Sequence, residues 1–126
     1  MKKTTLFLLL LFVIKHGWTQ VVLENNPASL KWRQIRTNNF RIIFPEGFDL
    51  QGQRMANTLE VIRHAETRSL NSSPRKIAVV LQNQSSVWNG FVSILPRRSE
   101  FFTMPPQDYN FIGTNDWLNL LATHEY

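Results

Sequence analysis

Residues 77–81 read Ile-Ala-Val-Val-Leu, five apolar residues without a polar interruption. A continuous apolar run of this length is typical of a strand that is covered on both faces of a sheet. We therefore expect it to be a central strand. The polar residues 83–86, Asn-Gln-Ser-Ser, follow it and predict a turn.

Two strands and a long helix are predicted upstream of this run. Side chains alternate over residues 32–36 and again over 40–44, with Thr37-Asn38-Asn39 between the two segments. Pro45-Glu46-Gly47 ends the second strand, and Asp49 is placed to cap a helix over residues 50–70. One face of that helix is apolar, since Met55, Leu59 and Ile62 fall on the same side.

One or two further strands are predicted over residues 87–95 and 100–104, where the side chains again alternate. Pro96 lies between them, and proline cannot donate to a central ladder. Arg97-Arg98 and Glu100 add charges of the kind that protect a sheet edge from pairing. We therefore expect these strands at the edge of the sheet.

The first 19 residues read as a signal peptide, with Lys2 and Lys3 ahead of the apolar run Leu6 to Ile14. A nine-residue helix reaches about 14 Å, whereas a bilayer core is about 30 Å thick. We expect cleavage after Thr19, a flexible lead-in over residues 20–29, no membrane span after cleavage, and a periplasmic or secreted protein. The alternatives are an uncleaved anchor or a buried hydrophobic strand.

The charge balance argues against a nucleic-acid partner. The chain has 14 Lys+Arg against 9 Asp+Glu; removal of residues 1–19 takes away three lysines, which leaves 11 against 9, a net charge of +2. Arg75-Lys76 and Arg97-Arg98 are separated by a predicted strand, and we interpret them as solvated edges. Since the chain has no cysteine, any metal would need His, Asp or Glu ligands.

The last segment carries the chemical pattern. Thr114 or Asn115 is placed to cap a helix, and Asp116 suits its positive N-terminal dipole. The helix has a broad apolar face and reaches His124-Glu125-Tyr126. In the His-Glu-x-x-His motif, two histidines at i and i+4 bind one zinc ion and the glutamate reaches a metal-bound water. The second histidine would stand two positions after Tyr126, so we expect the chain to be truncated inside the motif.

The order of the segments resembles the first part of the peptidase-MA-like, gluzincin-type zinc metallopeptidase domain of secreted Bacteroidetes proteins that carry TolB-like propellers. The resemblance covers residues 30–126 and lies in the combination of segments. The matching segments are 32–44 with Thr37-Asn38-Asn39-Phe40, the long helix, Pro74 to Leu81, Trp88 to Val92, Pro96 to Glu100, Pro105 to Asp108, Asp116 to Leu118, and Leu121 to Tyr126.

The resemblance implies an α/β (α+β) fold, a twisted mixed β-sheet with an edge strand and two main helices, as in an incomplete thermolysin-like N-terminal subdomain. Residues 30–126 would be the N-terminal half of that domain. His124 matches the first zinc ligand and Glu125 the general base. Asn89, Gly90, Phe91 and Val92 match the edge strand that binds a peptide or protein substrate. A C-terminal propeller domain is an expected companion in the parent protein.

The sequence is compatible with three functions. The first is a fragment of an exported zinc metallopeptidase that is itself inactive, because a catalytic zinc needs three protein ligands and this chain would not hold the ion stably. The second is a noncatalytic exported binding or scaffolding domain. The third, a polysaccharide hydrolase, needs paired carboxylates, and no pairing is readable among Glu100, Asp108, Asp116 and Glu125.

Overall fold

The fold is a five-stranded sheet with two helices, as seen in a computed structural model that describes residues 26–70, 75–107 and 116–125. The elements in chain order are β1 (Trp32–Arg36), β2 (Phe40–Pro45), α1 (Asp49–Leu70), β3 (Ile77–Gln82), β4 (Gly90–Ile94), β5 (Arg97–Phe102) and α2 (Trp117–Glu125). The predicted mixed α+β architecture is confirmed. Within the described ranges, no helix combines the length and apolarity that crossing a bilayer requires.

Several predictions fall on other parts of the chain. The signal peptide over residues 1–19 and the first part of the lead-in, 20–25, lie outside the described residues. So do Asp108 and the predicted helix caps Thr114 and Asn115. The remainder of the lead-in forms a turn in which the Leu30 N–H donates to the Pro27 carbonyl at 2.9 Å.

The strand order is β1-β2-β3-β5-β4, so β3 lies at the centre as its apolar run predicts. β2 and β5 flank β3 in parallel, and the outer strands β1 and β4 run antiparallel to their neighbours. The hairpin from β1 to β2 turns at residues 37–39, as predicted. Among the described elements β1 and β4 are therefore the two edges.

The prediction that the segment around Glu100 lies at the edge is wrong, because β5 is flanked by β3 and β4. Glu100 is only 1% exposed, yet its carboxylate has partners. It accepts hydrogen bonds from Arg98 and, at 3.2 Å, from Gln82 of β3. A buried charge is tolerated when it is paired in this way. Pro96 takes no place in the ladder, since it lies in the turn between β4 and β5.

A single apolar core joins both helices to one face of the sheet. Met55, Ala56 and Leu59 of α1 pack there with Leu121 and Ala122 of α2. The sheet contributes six buried residues, which are Phe40, Ile42, Phe44, Val79, Leu81 and Phe101. The core therefore fixes where the end of α2 lies relative to the sheet.

Helix α1 approaches the sheet closely at Gly52. A Cβ atom at this position would lie 2.6 Å from two carbons of the Phe44 ring. No real Cβ contact is that short, since carbon atoms pack at about 3.5–4.0 Å. Glycine at residue 52 therefore allows α1 to lie against β2 at this distance.

The tip of the β1–β2 hairpin is tied to α1 by Glu60. Its two carboxylate oxygens accept hydrogen bonds from the backbone N–H of Asn39 at 3.1 Å and from the Asn39 side chain at 2.7 Å. Partial burial raises the pKa of Glu60, but hydrogen bonds from Thr37 and Asn39 and the charge of Arg63 together hold it below its ordinary value. The ionised carboxylate is therefore the form that the fold favours.

Candidate functional site

The start of α2 is anchored by Asp116. Its Oδ1 accepts the Asn119 N–H at 3.4 Å and its carbonyl accepts the Leu120 N–H at 2.9 Å, which is the N-cap arrangement. Arg54 of α1 forms an ion pair with the same carboxylate. Asp116 is thus the capping residue, rather than a charge within the first turn as the sequence predicted.

The body of α2 is fixed by the core and by two hydrogen bonds. The indole N–H of Trp117 donates to the Phe102 carbonyl at the end of β5, at 2.8 Å. The Thr58 hydroxyl of α1 donates to Oδ1 of Asn119 at 3.1 Å. These contacts hold α2 between α1 and the β5 side of the sheet, so its last turn comes to lie beside the first residue of β4.

Glu125 lies directly over Gly90, where α2 meets β4. A Cβ atom at Gly90 would lie 3.0 Å from Cγ of Glu125 and 3.2 Å from both its Cδ and its Oε1. Only a residue without a side chain leaves this carboxylate its observed position undisturbed. Gly90 is buried, Glu125 is half-buried, and the neighbouring His124 is exposed. The predicted general base therefore meets the predicted edge strand at Gly90, and the predicted metal ligand His124 lines the cavity beside this contact.

An apolar cavity of about 240 Å³ opens beside this contact. Two tryptophans, two leucines, Asn89 and the predicted catalytic pair line it: Trp88, Asn89, Trp117, Leu120, Leu121, His124 and Glu125. Trp88 and Trp117 form apolar walls of this cavity. Trp32 lies on the far edge strand and is 39% exposed.

Backbone groups of β4 face away from the sheet. In an antiparallel pair, residues alternate between those that bond across the ladder and those whose N–H and C=O point outward. The Phe102 N–H donates to the Asn89 carbonyl at 3.0 Å, which places Gly90 and Val92 in the outward set. Asn89 Oδ1 accepts the Gly90 N–H at 2.9 Å. Within the described part of the chain, the Gly90 carbonyl and both Val92 backbone groups thus line a free edge.

The described residues do not by themselves fit a zinc ion. A catalytic zinc takes three protein ligands, and within the described ranges no three His, Cys, Asp or Glu side chains lie close enough together to hold a metal ion. His124 offers one imidazole. Among the carboxylates considered for a polysaccharide hydrolase, Glu100 bonds to Arg98 and Asp116 pairs with Arg54, so both are held by cations.

Sequence reasoning did not identify the apolar cavity. Four of its lining residues, at positions 117, 120, 121 and 124, follow the i, i+3, i+4, i+7 spacing of one helix face. That spacing could have shown that the apolar face of α2 continues into His124. The approach of Gly90 to Glu125 depends on how α2 packs against the sheet, and a local sequence pattern does not predict that packing.

Comparison of the chain with protein-family models, with curated proteins and with solved structures finds no match.

Proposed function

We propose that this chain forms the N-terminal half of the peptidase domain of an exported zinc-dependent metallopeptidase, with Glu125 as the general base and His124 as one metal ligand. The observation that supports the proposal is the contact between Glu125 and Gly90. In this contact the carboxylate of Glu125, on the last turn of α2, lies at the first residue of the edge strand β4, and His124 precedes it in the helix. The proposal of export rests on the N-terminal pattern of residues 1–19.

The free edge of β4 is suited to an extended peptide. A peptide that adds to a sheet edge gains main-chain hydrogen bonds that do not depend on its sequence. The outward-facing backbone groups of Val92, an exposed residue, supply such partners. A peptide bound there would pass directly beside the Glu125 carboxylate, because that carboxylate lies over Gly90.

The apolar cavity supplies selectivity next to the same carboxylate. Trp88, Trp117 and Leu120 line it together with Glu125. A pocket of this kind favours a large apolar side chain, since burying one is worth about 1.5–3 kcal/mol. We therefore propose that the preferred substrate carries an apolar residue beside the bond that is cleaved.

We propose that the Glu125 carboxylate accepts a proton as the general base. A general base must come within about 3 Å of the proton that it removes, directly or through one water. Glu125 is half-buried and lines the cavity, so its carboxylate would be within reach of a peptide on β4 and of a water molecule. Zinc, in enzymes of this class, polarises the carbonyl and lowers the pKa of a bound water to about 7.

The remaining zinc ligands would have to come from residues other than those described. A second histidine four residues after His124 would lie one helical turn further along the same face. The direct test is to read the source DNA through the codons that follow Tyr126. We expect a histidine two codons after Tyr126 and, further on, a helix that carries a glutamate. A stop codon directly after Tyr126 would exclude catalysis for this gene product.

A noncatalytic exported binding domain is the second candidate, and one observation favours it. The free edge of β4 and the apolar cavity need no metal to bind a peptide, and among the described residues that line the cavity only His124 carries an imidazole. Incubation with extended peptides separates the two functions. Binding without cleavage by the protein that contains all the residues after Tyr126 would favour the binding domain.

A further inference from the structure

A second cavity lies at the opposite end of the sheet from Glu125. Its volume is about 440 Å³. Four cations and two apolar residues line it, namely Arg36, Arg41, Lys76, Arg97, Ile77 and Ala78. The strand registers place it where β2, β3 and β5 begin, whereas the Gly90–Glu125 contact is at the end of β5. We call it the basic cavity.

The sheet register explains how the arginines come together. Arg36 of β1 stands directly opposite Arg41 of β2, and Arg41 stands opposite Ala78 of β3. Residues in register project from the same face of a sheet, with Cβ atoms about 4.5–5.5 Å apart. The small side chain of Ala78 leaves the space beside the two guanidinium groups open. Like charges in such a pair are destabilising, so the fold places them together at a cost.

Within the described ranges, none of the four lining cations forms an ion pair with a carboxylate. The ion pairs of the described residues join Arg33 to Asp49, Arg54 to Asp116 and Arg98 to Glu100, and each lies outside the basic cavity. Lys76 is held in place because its Nζ donates to the Thr37 carbonyl at 2.6 Å. The four lining cations are all exposed.

We propose that the basic cavity binds a multivalent oxyanion that carries phosphate or sulfate groups. Guanidinium groups bind such oxyanions through two parallel hydrogen bonds, and a lysine adds a point charge. Four cations around one cavity can neutralise two or more anionic groups on a single ligand. An anion bound between Arg36 and Arg41 would also remove the repulsion between them.

The sequence interpretation of Arg75-Lys76 and Arg97-Arg98 as separate solvated edges misses this arrangement. The central strand β3 separates the two pairs in the sequence, but the parallel pairing of β3 with β5 brings Lys76 and Arg97 to the same cavity. The proposal does not depend on the peptidase function, since no residue of the basic cavity lies at the Gly90–Glu125 contact.

Calorimetric titration of the full chain with inorganic pyrophosphate, in a phosphate-free buffer of low ionic strength, tests the proposal. We expect saturable binding that weakens as salt is added, because the site is open to solvent. Arg41→Gln should weaken binding about tenfold or more, as the loss of a charge-assisted contact does. Lys31→Gln removes the same charge outside the basic cavity and should change the affinity less than about twofold.

A second titration distinguishes a free ion from a group carried on a polymer, with dextran sulfate as the ligand and neutral dextran as its control. Binding of either pyrophosphate or dextran sulfate that depends on Arg41 supports the proposal and identifies the source. Absence of binding by both, or equal losses in Arg41→Gln and Lys31→Gln, would overturn it. The melting temperature shows that Arg41→Gln is folded, since relief of the repulsion with Arg36 should not lower it.

Discussion

Substitution of Gly52 by alanine is expected to destabilise the fold, although this change usually stabilises a helix. The new Cβ would lie 2.6 Å from Cδ1 and from Cε1 of Phe44. Ordinary carbon contacts are about 3.5–4.0 Å, so the ring or the helix must move by about 1 Å. Phe44 is 2% exposed and belongs to the core, so its neighbours oppose that movement.

The expected magnitude follows from two opposing effects. Overpacking of a core costs about 1–3 kcal/mol, and the higher helix propensity of alanine returns about 1 kcal/mol. Since the overlap is large, we expect a net loss of about 1–2 kcal/mol. With a urea m-value of about 1.5 kcal/mol/M, the unfolding midpoint should fall by about 1 M.

Urea unfolding followed by circular dichroism measures this loss, with Phe44→Leu as the matched background. Gly52→Ala should cost less when Phe44 is already leucine, because the smaller side chain leaves room for the Cβ. An alanine variant that unfolds at a higher urea concentration than the wild type would refute the close approach of α1 to β2.

Two further substitutions test the hairpin tie and the contact at the site. Glu60→Gln should lower the free energy of unfolding by about 1 kcal/mol at neutral pH. The pKa of Glu60 in the fold lies below its ordinary value of 4.5. This loss of stability should therefore reach its full size above about pH 5 and disappear as the pH falls below the pKa of the folded state. Urea unfolding of both proteins between about pH 3 and pH 7 measures this difference in stability. If the difference were the same at pH 3 as at pH 7, the ionised Glu60 carboxylate would not be the group that stabilises the hairpin. Gly90→Val places a branched side chain against Glu125. In a protein that contains the remaining zinc ligands, this substitution should abolish peptide cleavage and leave the metal content unchanged. Cleavage at the wild-type rate would contradict the importance of the contact between Gly90 and Glu125.

The sequence predicts the centre of this fold better than its edges. The run over residues 77–81 indicates a central strand because an uninterrupted apolar segment needs cover on both faces. Glu100 misleads, because its burial depends on Arg98 two residues before it and on Gln82 of another strand. Charge along one strand indicates exposure only when no partner is available across the sheet.

The candidate site shows the same division. His124 and Glu125 are recognisable because they are adjacent in the sequence and match the start of a short zinc-binding motif. Their position beside Gly90 follows from the docking of α2 through Leu121, Ala122 and the Trp117 hydrogen bond, which are tertiary contacts. The basic cavity likewise results from strand order, since Arg36, Arg41, Lys76 and Arg97 come from four segments of the chain.

We propose that Glu125 acts as the general base of a zinc peptidase and that His124 is one of its metal ligands. The most direct test is the zinc content and peptide cleavage of the protein expressed through the codons that follow Tyr126, compared with its His124→Ala and Glu125→Gln variants. We expect stoichiometric zinc in the wild type and in Glu125→Gln, loss of cleavage in both variants, and loss of zinc in His124→Ala. A wild-type protein that binds no zinc, or a Glu125→Gln variant that still cleaves peptides, would contradict it.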